Sequence, residues 1–315
     1  MYSLLSSQTF SRIDLYEKII FSYITNDFFP WVCFILLLNR KNWKKPIVLI
    51  LIFHWFFRAT GDVLRAVSEL FYKPETVPLN NFIIMEGSDD LTNIQWPYTN
   101  ERWMVGNAIA HVFWFTGEII GDWYLYIRTK AATTNRLKNR IVLGFCLAFN
   151  LSKLFAMYTY FAYYPFDLNM IKDGKYFNGL LNFNILWWST VVGYHLIGFG
   201  YDFTVIYALR TELFDKLKEY KTFKKNSFVD KFKQISELRI FTTMIATLLF
   251  LPIIVPIIII YIKETKNKHV DGVCKDPDPL RQVPLSLCYN LIYIDQILLR
   301  NYINGPHNNR NYKNN

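Results

Sequence analysis

The sequence has few cysteines, prolines and glycines, and few charged residues for its length. Its 315 residues include 4 cysteines, 12 prolines and 13 glycines. Those numbers exclude a disulfide-stapled secreted scaffold, a collagen-like repeat and a long disordered chain, each of which needs a larger share of such residues. Only 19% of the residues are charged, against about 25% in an ordinary soluble protein. A soluble globular fold is therefore disfavoured.

Apolar residues make up 52% of the chain and aromatic residues 18%, and the mean hydropathy is +0.12. A membrane-spanning helix needs about 20 mostly apolar residues. The sequence predicts an all-α, polytopic membrane helical bundle with seven transmembrane helices, at residues 19–38, 46–71, 103–127, 141–164, 180–209, 240–262 and 283–302. Asn26, Asp27 and Pro30 interrupt the first segment, and if it only lies on the surface the count falls to six. We expect residues 1–303 to form one transmembrane domain and residues 304–315 a short disordered cytosolic tail.

The segments between the predicted spans alternate in charge. Residues 39–45 carry four basic residues and no acid, 128–140 carry five and no acid, and 210–239 carry nine against five acids. Residues 73–101 instead have one lysine and five acids. Because cytoplasmic loops hold the excess of Lys and Arg, we expect the N-terminus outside and the C-terminus in the cytosol. The same rule accounts for the net charge of +10, so we expect no nucleic-acid partner.

The cytosolic face predicted in this way is basic, and its candidate residues are Arg128, Lys130, Lys221, Lys224 and Lys225. Within 210–239, apolar residues at helical spacing predict helical extensions of the fifth and sixth spans, with a break near 224–227. Two interpretations of this segment remain. Its helices either lie against anionic lipid headgroups or form a docking surface for a cytosolic protein partner.

Polar side chains recur inside the predicted spans, where they are costly and usually face the interior of a bundle. Four charged residues of the second span follow one another at steps of four, three and four, which places them on one helix face: Arg58, Asp62, Arg65 and Glu69. The third span carries a similar stripe. The predicted buried network comprises Arg58, Asp62, His111, Glu118, Asp122, Lys153, His195, Asn290 and Asp295. Paired charges of this kind hold helices together, but two facing stripes exceed what helix association needs and favour a functional polar cavity.

Small residues on the third span predict close helix packing. Gly117 and Gly121 are four residues apart, as are Gly106 and Ala110. Such pairs of small residues let two membrane helices approach closely.

Depth and side-chain direction predict specific ion pairs in the network. With a rise of about 1.5 Å per residue and a hydrocarbon core about 30 Å thick, the alpha carbons of Glu118 and Lys153 differ in depth by about 10 Å. Their helices run in opposite directions, and side chains lean toward the N-terminus of their helix, so the two side chains reach toward each other. We predict a direct or water-mediated Glu118–Lys153 pair, and a contact of Arg58 with Asp295 or Glu118.

The sequence carries no motif for catalysis or cofactor binding. A Gly-rich phosphate loop and a nucleophile elbow are absent. His54, His111 and His195 lie on three different spans without an HxxxH-like pair. We therefore expect no metal site and no cofactor, and an enzyme is the least favoured function.

The predicted topology resembles that of G-protein-coupled receptors over the whole chain. Residues 122–124 (Asp-Trp-Tyr), with Arg128 following, are similar to the acidic-Arg-aromatic triplet that closes the third span of the rhodopsin-like class. Residues 290–293 (Asn-Leu-Ile-Tyr) are similar to the Asn-Pro-x-x-Tyr of the seventh span, without its proline and shorter by one residue. Residues 117–124, with 128–131 after them, also resemble uncharacterised fungal multi-pass membrane proteins, a resemblance that implies no known activity.

Two functions from different classes remain for an integral, multi-pass membrane protein embedded in the lipid bilayer. The receptor resemblance implies a receptor-like sensor, in which the buried network is a two-state lock and the fifth and sixth spans relay motion to a cytosolic partner at 210–239. A small-molecule ligand fits this function, but the sequence does not indicate which one. The alternative is a proton- or cation-coupled transporter of a small solute, with buried acids as ion sites near the midplane. We rank the sensor first.

Overall fold

Helices dominate the fold in the computed structural model, which describes residues 12–71, 75–78, 93–96, 100–162, 176–220, 227–267 and 278–304. The α-helices are α1 (Arg12–Thr25), α2 (Phe29–Leu38), α3 (Pro46–Ser68), α4 (Asn100–Trp103), α5 (Ala110–Ala132), α6 (Arg136–Ala162), α7 (Tyr176–Tyr220), α8 (Ser227–Asn267) and α9 (Asp278–Asn304). A 3-10 turn (Glu69–Phe71) follows α3, and a π-helix (Met104–Ile109) joins α4 to α5. Two short strands, β1 (Glu75–Pro78) and β2 (Asn93–Trp96), pair antiparallel, and neither strand was predicted from the sequence. All of the predicted tail beyond Asn304 lies outside the described residues.

Each of the seven predicted spans is helical where the structure describes it. The first corresponds to α1 together with α2, and the others correspond to α3, α5, α6, α7, α8 and α9. The α7 helix continues to Tyr220 and α8 begins at Ser227. The predicted helical extensions within 210–239 are therefore confirmed, whereas most of the predicted break near 224–227 lies outside the described residues.

Within the described ranges, three helical stretches are long and apolar enough to cross a membrane: Pro46–Phe71, Arg136–Ala162 and Leu238–Lys263. The α1–α2 pair passes the same test jointly, with a bend of 46°. Large apolar side chains also cover the outer faces of these helices, including Leu147, Leu151 and Leu154 on α6 and Ile245, Leu248 and Leu249 on α8. Contiguous exposed apolar surface of this kind marks contact with a membrane or partner. Length, composition and surface together are those of a helical membrane protein.

The bend between α1 and α2 follows from local side-chain chemistry. Asn26 Oδ1 accepts a hydrogen bond from the main-chain N–H of Phe28 at 3.1 Å, which competes with continuation of the helix. Pro30 lies in the first turn of α2, where its missing N–H leaves no helical bond unmade. The interruption predicted from Asn26, Asp27 and Pro30 is therefore confirmed as a helix break.

The helices pack as a closed ring in chain order. The α1 helix packs on α3, α3 on α5, α5 on α6, α6 on α7, α7 on α8 and α8 on α9, and α9 returns to α2. The α5 helix also contacts α7 across the ring. Its buried residues extend from Ala110 to Thr129. Polar side chains on α5 therefore face other helices.

Glycines on the third span permit close contact between helices. A Cβ atom added at Gly117 would lie 3.0 Å from the main-chain oxygen of His54 on α3. A Cβ atom at Gly121 would lie 2.7 Å from Tyr289 Cε1 on α9, and Gly106 abuts α3. Because α5 packs this tightly on two neighbours, the predicted close packing of the third span is confirmed.

The two acidic residues of α5 lie between two apolar layers. Phe115 belongs to an aromatic cluster that α5 shares with α6, α7 and α8. Leu125 belongs to a second cluster with residues of α6, α7 and α8. Glu118 and Asp122 lie between these two residues along the helix, so the apolar layers separate the charges from both ends of the bundle.

Candidate functional site

Lys153 on α6 is the centre of a buried group of charges. Its Nζ lies 2.7 Å from Asp122 Oδ2 and 3.4 Å from Glu118 Oε2, both on α5. It also donates a hydrogen bond to Tyr289 Oη of α9 at 3.1 Å. The other carboxylate oxygen of Glu118, Oε1, accepts a hydrogen bond from Arg58 Nη1 of α3 at 2.9 Å. We call these five residues the Lys153 cluster.

The Lys153 cluster is buried except for part of the Arg58 side chain, and it is balanced in charge. Glu118 and Lys153 are each 1% exposed. Two carboxylates face one ammonium and one guanidinium, and such pairing offsets the several kcal/mol that each ion loses on leaving water. The predicted Glu118–Lys153 pair is confirmed as a direct contact. Arg58 contacts Glu118, which was one of the two carboxylates predicted for it.

The stripes predicted on the second and third spans face each other across the α3–α5 interface. The two helices run antiparallel, so that Arg58 meets Glu118 while Asp62 meets Trp114, one turn earlier on α5. Asp62 Oδ1 accepts a hydrogen bond from Trp114 Nε1 at 2.9 Å, and its Oδ2 accepts one from Asn26 Nδ2 at 2.7 Å. Asp62 therefore accepts hydrogen bonds from two neutral donors and does not belong to the Lys153 cluster.

A second buried cluster surrounds Asp295 on α9. Asp295 Oδ2 accepts a hydrogen bond from Arg239 Nη1 of α8 at 2.7 Å and is also ion-paired with Arg128 Nη1 of α5. The Tyr124 hydroxyl donates to the same oxygen at 3.0 Å and accepts from Arg128 Nη1 at 3.1 Å. We call these four residues the Asp295 cluster. One carboxylate faces two guanidiniums, so this cluster carries one excess positive charge and joins α5, α8 and α9.

Arg128, which the sequence assigned to the cytosolic basic face, is 6% exposed and belongs to the Asp295 cluster. The α5 helix continues to Ala132, which places Arg128 one turn beyond Tyr124 on the same inward face. Lys130 is exposed, as predicted for a basic face. The side chains of Lys221, Lys224 and Lys225 lie outside the described residues.

Three other predicted network residues lie apart from both clusters. His111 Nδ1 bonds the carbonyl four residues earlier in its helix at 2.7 Å, and its ring stacks on Tyr160 with centroids 3.7 Å apart. His195 Nδ1 likewise bonds the carbonyl four residues earlier, at 2.8 Å. Asn290 is half-buried, and its Oδ1 has no hydrogen-bond partner within the part of the chain described. The bundle therefore divides the predicted network into separate groups.

Sequence reasoning missed three residues of the clusters: Tyr124, Arg239 and Tyr289. The sequence contains 21 tyrosines, so the two in the clusters do not stand out by type. Arg239 is counted with the basic segment 210–239, although it directly precedes the apolar run of the sixth span. Spacing was the available signal for Tyr124, since it lies four residues before Arg128 and therefore on the same helix face.

The chemistry available in the two clusters is ion pairing and proton transfer among carboxylate, ammonium, guanidinium and phenol groups. Tyr289 Oη is 3.2 Å from Asp122 Oδ1 and 3.3 Å from the Glu118 carbonyl oxygen, so this hydroxyl links Lys153 to both residues. Across the described ranges, no group of three His, Cys, Asp or Glu side chains is placed to hold a metal ion.

Comparisons with known proteins do not assign the chain to a family: no protein-family model, no curated protein and no solved structure matches it. The two clusters and the helices that carry them are therefore the basis on which a function is proposed.

Proposed function

We propose that this chain is a seven-span integral membrane protein that acts as a receptor-like sensor, with its N-terminus outside and its C-terminus in the cytosol. The first span is α1 with α2, and the remaining spans are α3, α5, α6, α7, α8 and α9. The closed ring of these helices supports the number of spans. The alternation of basic and acidic connecting segments supports the orientation.

The observation that carries the sensor proposal is the Asp295 cluster. In the proposed orientation it lies at the cytosolic end of three spans, where Arg239 joins the basic segment 210–239 to the apolar run of the sixth span. The Asp295 carboxylate contacts both Arg128 and Arg239. A shift of α9, or loss of the charge on Asp295, therefore changes a contact to α5 and a contact to α8 at the same time. Such a bistable contact is what a sensor needs to transmit an outside event inward.

The direct test is the variant Asp295→Asn in full-length protein whose native cysteines have been replaced. Spin labels at Lys130 and Leu238, both exposed, report the separation of the cytosolic ends of α5 and α8. We expect the Asn variant to show a longer mean distance or a broader distribution than the parent, because a neutral amide holds two guanidiniums less strongly than a carboxylate.

The matched control is Asp14→Asn, which neutralises an exposed carboxylate on α1. It should leave the distance distribution between the labels unchanged. If Asp295→Asn also leaves that distribution unchanged, the Asp295 cluster is not a lock and the sensor proposal loses its support.

We propose further that a cytosolic protein partner docks on the basic segment 210–239. Charge reversal to glutamate at five lysines of this segment should abolish signalling but leave ligand binding intact: Lys216, Lys218, Lys221, Lys224 and Lys225. Loss of ligand binding in the reversed variant would instead indicate a damaged fold. Unchanged signalling would favour helices that lie on lipid headgroups.

The alternative function, a proton- or cation-coupled transporter, draws on the Lys153 cluster. Glu118 and Asp122 lie one helical turn apart and share one ammonium, an arrangement that can exchange a proton or cation for a contact with Lys153. Reconstituted vesicles distinguish the two functions. An ion-dependent solute flux that disappears in Glu118→Gln or Asp295→Asn would refute the sensor and establish transport.

A further inference from the structure

A cavity of about 300 Å³ lies between α1 and α3. This volume is at the lower limit of small-molecule sites. Four charged residues line it, two basic and two acidic: Lys18, Asp62, Arg65 and Glu69. We call it the Asp62 cavity. Neither the Lys153 cluster nor the Asp295 cluster contributes to its lining, so the cavity is a separate feature.

The Asp62 cavity extends from the end of α3 toward the middle of the bundle. Asp62 on α3 is seven positions before Glu69 in the 3-10 turn, and Lys18 is seven positions before Thr25 on α1, which corresponds to a depth of about 10 Å on either side. Lys18 Nζ and Glu69 Oε1 form an ion pair at 2.6 Å. In the proposed orientation this pair lies at the outer rim, and Asp62 lies at the inner end.

Asp62 presents to the cavity a carboxylate that forms no ion pair with any described residue. Its two oxygens accept hydrogen bonds from Asn26 and Trp114, which are neutral donors. Within the part of the chain described, no Lys, Arg or His forms an ion pair with it. A carboxylate at this depth favours a cation, because an unpaired charge inside a membrane bundle is costly. The inner end of the cavity is therefore suited to an ammonium group.

Arg65 provides the complementary charge closer to the rim. Its guanidinium carbon lies 6.0 Å from the centroid of the Trp114 ring, the same indole that donates to Asp62. Asp62 and Arg65 are three residues apart on α3, a spacing at which ion pairs commonly form on helices. No such pair joins them in the described residues. Both residues instead contact the indole of Trp114, Asp62 through its N–H group and Arg65 through its ring face. The two charged residues are about 4.5 Å apart in depth along α3.

We propose that the Asp62 cavity binds a small zwitterion, with its ammonium group on Asp62 and its anionic group on Arg65. Free amino acids and the phosphoethanolamine headgroup of a lipid share this chemistry. The half-exposed ring of Phe21 forms an apolar wall beside the charges. The outward direction of the rim rests on the proposed function. Binding of a zwitterion to the purified protein does not depend on the proposed function. The binding proposal and the sensor proposal can therefore fail independently of each other.

The contacts of Asp62 connect this site to the interior. Asn26 lies at the bend between α1 and α2, and Trp114 lies one turn before Glu118 on α5. A ligand ammonium competes with both neutral donors for the same carboxylate. Occupancy of the cavity therefore acts on the α1–α2 bend and on the helix that carries Glu118 and Asp122, which deepens the sensor proposal by naming its ligand class.

The test is a binding titration of detergent-purified, full-length protein with three probes. Glycerophosphoethanolamine carries both charges, ethanolamine carries the cation alone, and dimethyl phosphate carries the anion alone. We expect the zwitterion to bind at least about tenfold more tightly than either fragment, because each charge-assisted contact contributes to its affinity. If it binds no more tightly than a fragment, the cavity is not a zwitterion site.

Variants assign the two ends of the ligand. Asp62→Asn should weaken binding of the zwitterion and of ethanolamine by about tenfold and leave binding of dimethyl phosphate unchanged. Arg65→Gln should weaken binding of the zwitterion and of dimethyl phosphate by about tenfold and leave binding of ethanolamine unchanged. Thr25→Trp fills the cavity without changing its charge and should abolish binding of all three probes. The control Arg140→Gln removes an exposed charge on α6 and should bind like the parent. Parental affinity in Thr25→Trp would overturn the proposal even if Asp62→Asn fails to fold.

Vesicles distinguish the two sources of the ligand. The same titration is made in phosphatidylcholine vesicles with and without phosphatidylethanolamine. A lower apparent affinity for glycerophosphoethanolamine in the presence of phosphatidylethanolamine identifies the lipid headgroup as the occupant. An unchanged affinity identifies a free solute. Both results support a zwitterion site, whereas binding that persists in Asp62→Asn and Arg65→Gln alike overturns it.

Discussion

Lys153 is a charged side chain that only its partners stabilise inside the bundle. Replacing it by methionine keeps an unbranched side chain one atom shorter but leaves Asp122 without a cation and Glu118 with Arg58 alone. We expect Lys153→Met to lower the free energy of unfolding in detergent by about 3–5 kcal/mol. The control Lys130→Met, at an exposed position on α5, should change it by less than about 0.5 kcal/mol.

A double variant tests whether the loss arises from the orphaned carboxylate. Asp122→Asn removes the negative charge that Lys153→Met leaves behind, so the double variant should be more stable than the sum of the two single losses predicts. Simple additivity of the two losses would mean that Asp122 and Lys153 are not energetic partners, despite the 2.7 Å between their charged atoms.

At the scale of elements, the α3–α5 interface depends on the absence of a side chain at Gly117. A Cβ atom at this position already meets the His54 carbonyl oxygen at 3.0 Å, so a leucine forces the helices apart and separates Arg58 from Glu118. We expect Gly117→Leu to cost at least about 1–3 kcal/mol of unfolding free energy. The measurement is the thermal unfolding midpoint of the purified protein in detergent.

Gly144 on α6 supplies the matched control, since a Cβ atom added there has nothing within 4 Å. Gly144→Leu should leave the midpoint unchanged or raise it slightly, because leucine favours a helix more than glycine does. Equal losses at both positions would show that helix propensity or expression, and not the close approach of α3 and α5, determines the effect.

For the whole molecule, the decisive prediction is the number of spans. Tags at Met1 and Asn315 should be accessible from opposite sides of sealed vesicles, because seven crossings place the two ends on opposite faces. A third tag between α5 and α6, at residues 133–135, is an internal reference that should be cytosolic for either number of spans. If the tags at both ends are cytosolic, α1 and α2 lie on the surface and six spans remain.

The sequence by itself determined the features that depend on local pattern. Apolar length located the helices, and Asn26 with Pro30 located the break in the first span. The rise per residue and the direction of the side chains were enough to pair Glu118 with Lys153, because depth along a helix is linear in residue number. These properties need no knowledge of how the helices are arranged around one another.

Only the tertiary structure decided which side chains meet around the bundle. A helix turns about 100° per residue, so depth leaves its rotation and its neighbours undetermined. Those two quantities place Asp122 closer to Lys153 than Glu118 is, bring Tyr289 of α9 beside them, and turn Arg128 inward. They also place Arg239 of α8 against Asp295 of α9. This contact joins two different helices, so the spacing of residues along the chain does not predict it.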